Sequence, residues 1–273
     1  MKPVAFDIVR PRTTHEVVRL LSDPDAGARV VAGSQSLGPM LNLRLVQPKL
    51  LVDLTGIDEL TSFQEDDVGL TVGACVSTGS IEDGCLPGHH FAMLRSVAAG
   101  IAYRAVRNRG TIGGSVCHAD PAADWPSALC GFDAQCIIEG PDGRRSLPVS
   151  DFITGAFATT LDIGEFLVGL RIPRRSTSGR WGYQKLCRKT GEFAMAIGVV
   201  NIDPAKDVFR LVFGATEGRQ ITIPDFRPLG LQADADPDQQ ALAETLVNHG
   251  ITDPVAISQQ TAMMTRAFQQ ARK

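Results

Sequence analysis

The placement of the glycines constrains this chain most. Ala32–Gly33–Ser34–Gln35–Ser36–Leu37–Gly38–Pro39 follows directly on Arg29–Val30–Val31–Ala32, which reads as a short buried strand. A second segment, Arg107–Asn108–Arg109–Gly110–Thr111–Ile112–Gly113–Gly114–Ser115, leads into Ala119–Asp120–Pro121–Ala122–Ala123–Asp124. Small residues in succession let backbone N–H groups converge on an anion with no Cβ in the way. The hydroxyls of Ser34, Ser36, Thr111 and Ser115 add donors. Each hydrogen bond to a charged group contributes roughly 1.5–3 kcal/mol. Two such loops therefore suffice to hold the pyrophosphate of a dinucleotide without a lysine. Either loop alone is equally well read as a tight turn; the pair, both rich in hydroxyls, is less so.

Simpler nucleotide motifs fail. Gly33 and Gly38 have the spacing of a P-loop, but Pro39–Met40 stands where Lys-Ser/Thr is required. No G-x-G-x-x-G follows a strand, so a Rossmann site is unsupported. With 27 Lys+Arg against 30 Asp+Glu, the net charge of −3 argues against a nucleic-acid or anionic-membrane partner. No stretch approaches the ~18 apolar residues of a membrane span, and no signal peptide is visible in residues 1–12. The six cysteines (Cys75, Cys85, Cys117, Cys130, Cys136, Cys187) form no C-x-x-C pair, which points to buried reduced thiols rather than disulfides or a metal framework. A soluble cytoplasmic protein is expected.

The pattern predicts a helix capped by Thr13 or Thr14 and ended by Ser22–Asp23–Pro24, and a strand at Leu50–Leu54. Further strands are expected at Leu70–Ala74, Gln135–Glu139, Gly164–Ile172, Ala194–Ile202 and Phe209–Phe213. Helices are expected around Phe91–Ala99 and over Gln239–Asn248 and Ile257–Ala271. The polar run Arg174–Arg180 reads as a boundary. The working division is three segments: 1–55, 56–177 and 178–273.

The first motif, extended through Pro39–Met40–Leu41–Asn42–Leu43–Arg44, together with Arg107–Ser115 and Asp120–Pro121–Ala122–Ala123–Asp124, resembles the FAD-binding medium subunit of molybdenum hydroxylases. That family includes the flavoproteins of carbon monoxide, xanthine and nicotine dehydrogenase type enzymes. The likeness continues through Asp151–Phe152, Leu161–x–x–x–Glu165–Phe166–Leu167, Ile172–Pro173 and Tyr183–x–Lys185–x–x–Arg188–Lys189, so it covers nearly the whole chain. The paired motifs in this order are specific.

The resemblance implies an α+β, vanillyl-oxidase-like (PCMH-type) FAD fold of two α/β subdomains plus a C-terminal antiparallel sheet with helices. The pyrophosphate would be cradled by Ala32, Gly33, Ser34, Gln35, Ser36 and Leu37 together with Thr111, Ile112, Gly113, Gly114 and Ser115. Asp124 would face adenosine or ribityl hydroxyls, Leu167 and Lys185 would lie near the ring edges, and Phe193 would lie against the flavin. His118 either tunes polarity near the flavin or is structural. As a metal ligand with Asp120 and Asp124 it lacks a third neutral partner. His89–His90 reads as a solvated loop, Met263–Met264 as core. The arginines 104, 107 and 109 suggest anion positioning or salt bridges to a partner subunit. Molybdenum cofactor and two [2Fe–2S] clusters are implied in large and small partner subunits, assembled as a dimer of heterotrimers. No residue of this chain is expected to be catalytic.

Two departures stand out. Ser34 occupies a position where the family usually has glycine; if that position needs φ > 0, the Cβ costs about 1 kcal/mol. Ser115 replaces the more frequent asparagine. No histidine lies between His15 and His89, so non-covalent FAD is expected. A self-contained FAD oxidoreductase of the same fold, or a non-enzymatic assembly subunit, are the alternatives.

Overall fold

Parallel strands need a crossover between them, and the first 53 residues supply two. The computed structural model describes residues 2–87 and 91–273; His89 and His90 lie outside the described residues. β1 (Asp7–Val9), α1 (Thr14–Leu21), β2 (Ala28–Val31), α2 (Leu37–Asn42) and β3 (Leu50–Asp53) come first. β3 is central and parallel to both neighbours. α1 starts where the sequence predicts: the Thr13 hydroxyl accepts from the Glu16 amide at 3.2 Å, and the Glu16 carboxylate accepts from the Arg12 amide at 2.7 Å. Val17, Val52, Leu54 and Leu60 pack with Phe166 and Val168 beneath this sheet.

The next elements are α3 (Asp58–Thr61), β4 (Phe63–Glu65), β5 (Gly69–Gly73), α4 (Thr78–Glu82), α5 (Ala92–Ala99), α6 (Arg104–Arg107), α7 (Ile112–His118) and α8 (Asp124–Gly131). β6 (Gln135–Gly140), β7 (Gly143–Pro148), α9 (Val149–Phe152), β8 (Ile153–Gly155), β9 (Ala158–Thr159) and β10 (Phe166–Pro173) follow. β4-β5-β10-β6-β7 form one antiparallel sheet, and β8-β9 a separate ladder. The second glycine segment is a loop only as far as Thr111; from Ile112 it is helix. β10 starts at Phe166 rather than Gly164, because Gly164 has φ +82° and turns the chain.

The remainder is an antiparallel meander, β11 (Arg180–Leu186), β12 (Ala196–Asp203), β13 (Val208–Gly214) and β14 (Ile221–Ile223), covered by α10 (Gln239–Asn248) and α11 (Pro254–Ala271). β12 is buried along its whole length. α11 begins three residues before the sequence expectation, since the Asp253 carboxylate caps the amides of Val255 and Ala256. Its approach to the sheet demands glycine: a Cβ on Gly182 would stand 1.8 Å from the Ala267 carbonyl oxygen. Among the described residues no helix is long and apolar enough to cross a membrane.

Candidate functional site

The two glycine segments meet. A Cβ on Gly33 would stand 1.9 Å from the Arg109 carbonyl oxygen and 2.9 Å from the Gly110 Cα, so β2 runs straight into the backbone that precedes α7. The chain then turns through Ser34 at φ +60°, the left-handed conformation anticipated as a cost. Among the described residues, no protein acceptor is recorded for the amides of Gly33, Ser34, Gln35 or Ser36. The Ser36 hydroxyl makes no cap to α2. Four consecutive donors and two hydroxyls are thus left available.

The second segment behaves differently. Its Ile112, Gly113 and Gly114 amides donate to Val76 O (3.1 Å), Ala74 O (3.0 Å) and Thr111 Oγ1 (3.1 Å). Gly110 O accepts from Thr78 at 2.8 Å. A Cβ on Gly113 would lie 2.5 Å from that of Ala74. The donors expected from this segment are largely spent on the chain itself, and its glycines serve close packing against the 74–78 backbone.

Both segments line a cavity of about 430 Å³, within the range of ligand pockets. Its wall takes residues 29–37, most of 110–118, the 101–107 turn, Leu161, residues 165–167 and residues 191–193. Of the sequence candidates, all but Ile112 and Lys185 reach it. Ile112 is fully buried beneath it. Lys185 Nζ stands behind the wall, donating to Asp124 Oδ1 at 2.7 Å and Gly100 O at 2.8 Å. Tyr183 OH donates to the same oxygen at 2.6 Å. Burial and the neighbouring Asp124 charge push the Tyr183 phenol well up, so it stays a donor. Asp124 lines the cavity with Oδ1 doubly held, while Oδ2 has no protein partner among the described residues.

His118 packs against Phe157 with ring centroids 5.1 Å apart and planes tilted by 55°. Burial pushes its imidazole down, against the opposing charge of Asp120. Phe193 sits at the cavity edge, 66% exposed, and Gly191 (φ +90°) rests its backbone against Ala102 and Tyr103. Two of the thiols, Cys75 and Cys117, also line the wall; burial pushes both up to about 12, so neither is a nucleophile near neutrality.

Two of the arginines are employed within the chain rather than free for a ligand or partner. Arg104 pairs with Glu82 and Asp83, and Arg107 with Glu82 and the carbonyls of Ile101 and Ala102. Sequence reasoning missed Ala74 and Thr78, which brace the second segment. It quoted Glu165 as part of a motif without giving it a role; its carboxylate is held by Arg145 at 2.7 Å and pushed down by that bond. The Gly73–Ala74 pair, where β5 ends on small residues, was the only available signal.

Comparison with known proteins decides the family. The pattern described as the FAD binding domain in molybdopterin dehydrogenase matches residues 4–175. The chain belongs to that family. It is 36% identical over 196 residues to the carbon monoxide dehydrogenase medium chain of Hydrogenophaga pseudoflava, covering 72% of this chain and 68% of that one. With the nicotine 6-hydroxylase medium subunit of Paenarthrobacter nicotinovorans it shares 31% over 229 residues, 82% of this chain and 80% of that one. Among solved structures, a chain of quinoline 2-oxidoreductase from Pseudomonas putida 86 superposes with TM-score 0.85 at 30% identity, covering 100% of this chain and 98% of that one. The α+β, PCMH-type fold expected from the resemblance is thereby established. So is its class, an FAD-binding flavoprotein subunit of molybdenum-containing dehydrogenases.

Proposed function

We propose that this chain holds FAD non-covalently as the electron-transferring medium subunit of a cytoplasmic molybdenum hydroxylase. Its large partner would carry the molybdenum cofactor and its small partner two [2Fe–2S] clusters. The observation that carries the cofactor reading is the run of four available amides at Gly33–Ser36 on the wall of a 430 Å³ cavity. Such a run suits a pyrophosphate, which needs several converging donors. A bound flavin supplies one- and two-electron exchange.

Each residue has a defined task in that reading. Gly33, Ser34, Gln35 and Ser36 donate to the pyrophosphate, and Ala32 and Leu37 flank them. Thr111, Ile112, Gly113, Gly114 and Ser115 hold the opposite wall within reach, with the Ser115 hydroxyl as the free donor. Asp124, oriented by Tyr183 and Lys185, offers Oδ2 to a hydroxyl. Lys185 acts through Asp124 rather than by touching the cofactor. Leu167 and Phe193 supply apolar surface for ring systems, and His118 with Phe157 closes one side. The chain divides at residues 55/56 and 177/178, so that all three parts contribute to one cavity.

Relatives named as medium chains or subunits support a place among several subunits, and a dimer of heterotrimers is the assembly we expect. The test is purification with and without the proposed large and small partner subunits. We expect flavin absorption from the chain alone or after added FAD, and turnover of an organic substrate only with partners. No flavin under either condition overturns the cofactor reading. Turnover by the isolated chain overturns the subunit reading in favour of a self-contained oxidoreductase.

A further inference from the structure

A second, smaller cavity lies away from the first, where the connection between β10 and β11 crosses the buried strand β12. It measures about 40 Å³. Met93 and Phe132 give it an apolar side; its polar side carries Arg174, Arg175, Lys206 and Asn201 and also the carboxylates Asp133 and Asp203. The volume exceeds the ~10–15 Å³ needed for one water, so it has room for one small guest and excludes large ones.

Three of the residues that line it carry a sealed polar atom without a partner among the described residues: Arg174 Nε, Arg175 Nε and Asn201 Oδ1. Asn201 is only 5% exposed. Buried polar atoms left unpaired cost about 1–3 kcal/mol each, and three around one cavity point to an occupant.

The charges indicate its sign. Arg174 is neutralised by Glu65 at 2.6 Å, and Asp133 by Arg210 at 2.7 Å. Lys206 donates to the Arg174 carbonyl. Asp203 turns its carboxylate to Ser176, accepting from the amide at 2.7 Å and from the hydroxyl. Among the described residues Arg175 makes one long contact, to Gly179 O at 3.4 Å, and no hydrogen bond to a carboxylate. Burial pushes its guanidinium down, with Asp203 only partly opposing. Arg175 is thus half-buried, sealed at Nε, and offset only in part by Asp203. A half-turn of the Asn201 amide puts Nδ2 where Oδ1 stands, so this side chain donates as readily as it accepts.

We propose that this cavity binds one small monovalent anion of chloride size, held by the Arg174 and Arg175 guanidiniums and the Asn201 amide. The anion would tie the segment leaving β10 to β12, and so fix the middle sheet against the C-terminal one. This site is independent of the flavin reading and stands or falls separately.

The test uses the full chain at constant ionic strength, with sodium gluconate as the anion too large to enter. Chloride and bromide are expected to raise the Tm saturably by about 2–4 °C. Bromide-soaked crystals are expected to show an anomalous peak between Arg175 and Asn201. Arg175→Met should remove the saturable shift; should that variant fail to fold, Asn201→Leu replaces it. Equal Tm in chloride and gluconate, a chloride shift that persists undiminished in the variant, or a cavity with water and no anomalous peak would each overturn the proposal.

Discussion

A methyl group on Gly33 would meet the Arg109 carbonyl oxygen at 1.9 Å, and backbone on that side cannot swing away as a side chain would. Gly33→Ala must therefore separate β2 from the segment before α7, at about 1–3 kcal/mol for overpacking. If that falls on the cofactor site, FAD binding weakens by about 5- to 150-fold at 1.36 kcal/mol per decade, readable by flavin fluorescence titration. One residue on, the sign reverses. Ser34 holds φ +60°, so Ser34→Gly should stabilise the apoprotein by up to about 1 kcal/mol in urea unfolding. His118 gives a pH test. Burial lowers its folded pKa from 6.5, so the folded state binds fewer protons than the unfolded one just below that value. Stability is then full above pH 6.5 and lost as pH falls from there to the lowered folded value; His118→Gln should flatten that slope in Tm-versus-pH curves. The Ser34 conformation was legible only as a condition, because the glycine usual in the family at that position marked where φ > 0 would carry a cost. That Ile112 and Gly113 spend their amides was not, since their acceptors, Val76 and Ala74, lie 36 and 39 residues earlier in the chain.

At the scale of elements, the wall of the cavity depends on α8 being clamped to β11. Asp124 opens α8, and its Oδ1 receives both Tyr183 OH and Lys185 Nζ from β11. The ion-paired side chains are 8% and 12% exposed, so solvent screens them little. Removing one partner of such a pair strands the other charge, typically at about 3–5 kcal/mol. Lys185→Met should accordingly destabilise the chain by several kcal/mol in denaturant unfolding. Combining it with Asp124→Asn should recover part of that loss, because no charge is then stranded. An unchanged midpoint for Lys185→Met would show that the clamp contributes nothing. The family resemblance flagged both residues, yet separately: Asp124 for adenosine or ribityl hydroxyls, Lys185 for a ring edge. Their pairing spans 61 positions and two different layers, and no periodicity or motif spacing encodes a contact of that kind. The seven strands read from the sequence, half of the fourteen among the described residues, lie within about two residues of their places in the structure, because buried runs such as Ala196–Asp203 carry their own signal; the more exposed ones, β11 among them, were not read. α11 was placed three residues late because the cap at Asp253 precedes the apolar repeat.

Over the whole molecule, one cavity draws its walls from all three sheets: residues 29–37 leave the first, 110–118 and 165–167 belong with the second, and 191–193 join two strands of the third. Three hydrophobic clusters underlie them: one under the outer face of the third sheet, one joining Leu170 and Ile172 of the second to Ile197 and Val199 of the third, and one joining Val17 and Val52 of the first to Phe166 and Val168 of the second. Without a ligand, such a construction can lose one layer before another. A ligand that touches all three binds only when all three are in place, so it favours their joint order. FAD at 100 times its Kd should add about 2.7 kcal/mol to the folded state. For a chain of this size that corresponds to roughly 5–10 °C in Tm, at about 2–4 °C per kcal/mol. More telling than the shift is its shape. Differential scanning calorimetry should show the apoprotein transition broadened or split, and a single sharper transition with FAD. If FAD moves only one component of a split transition, the ligand engages one layer alone and the shared cavity is not its site.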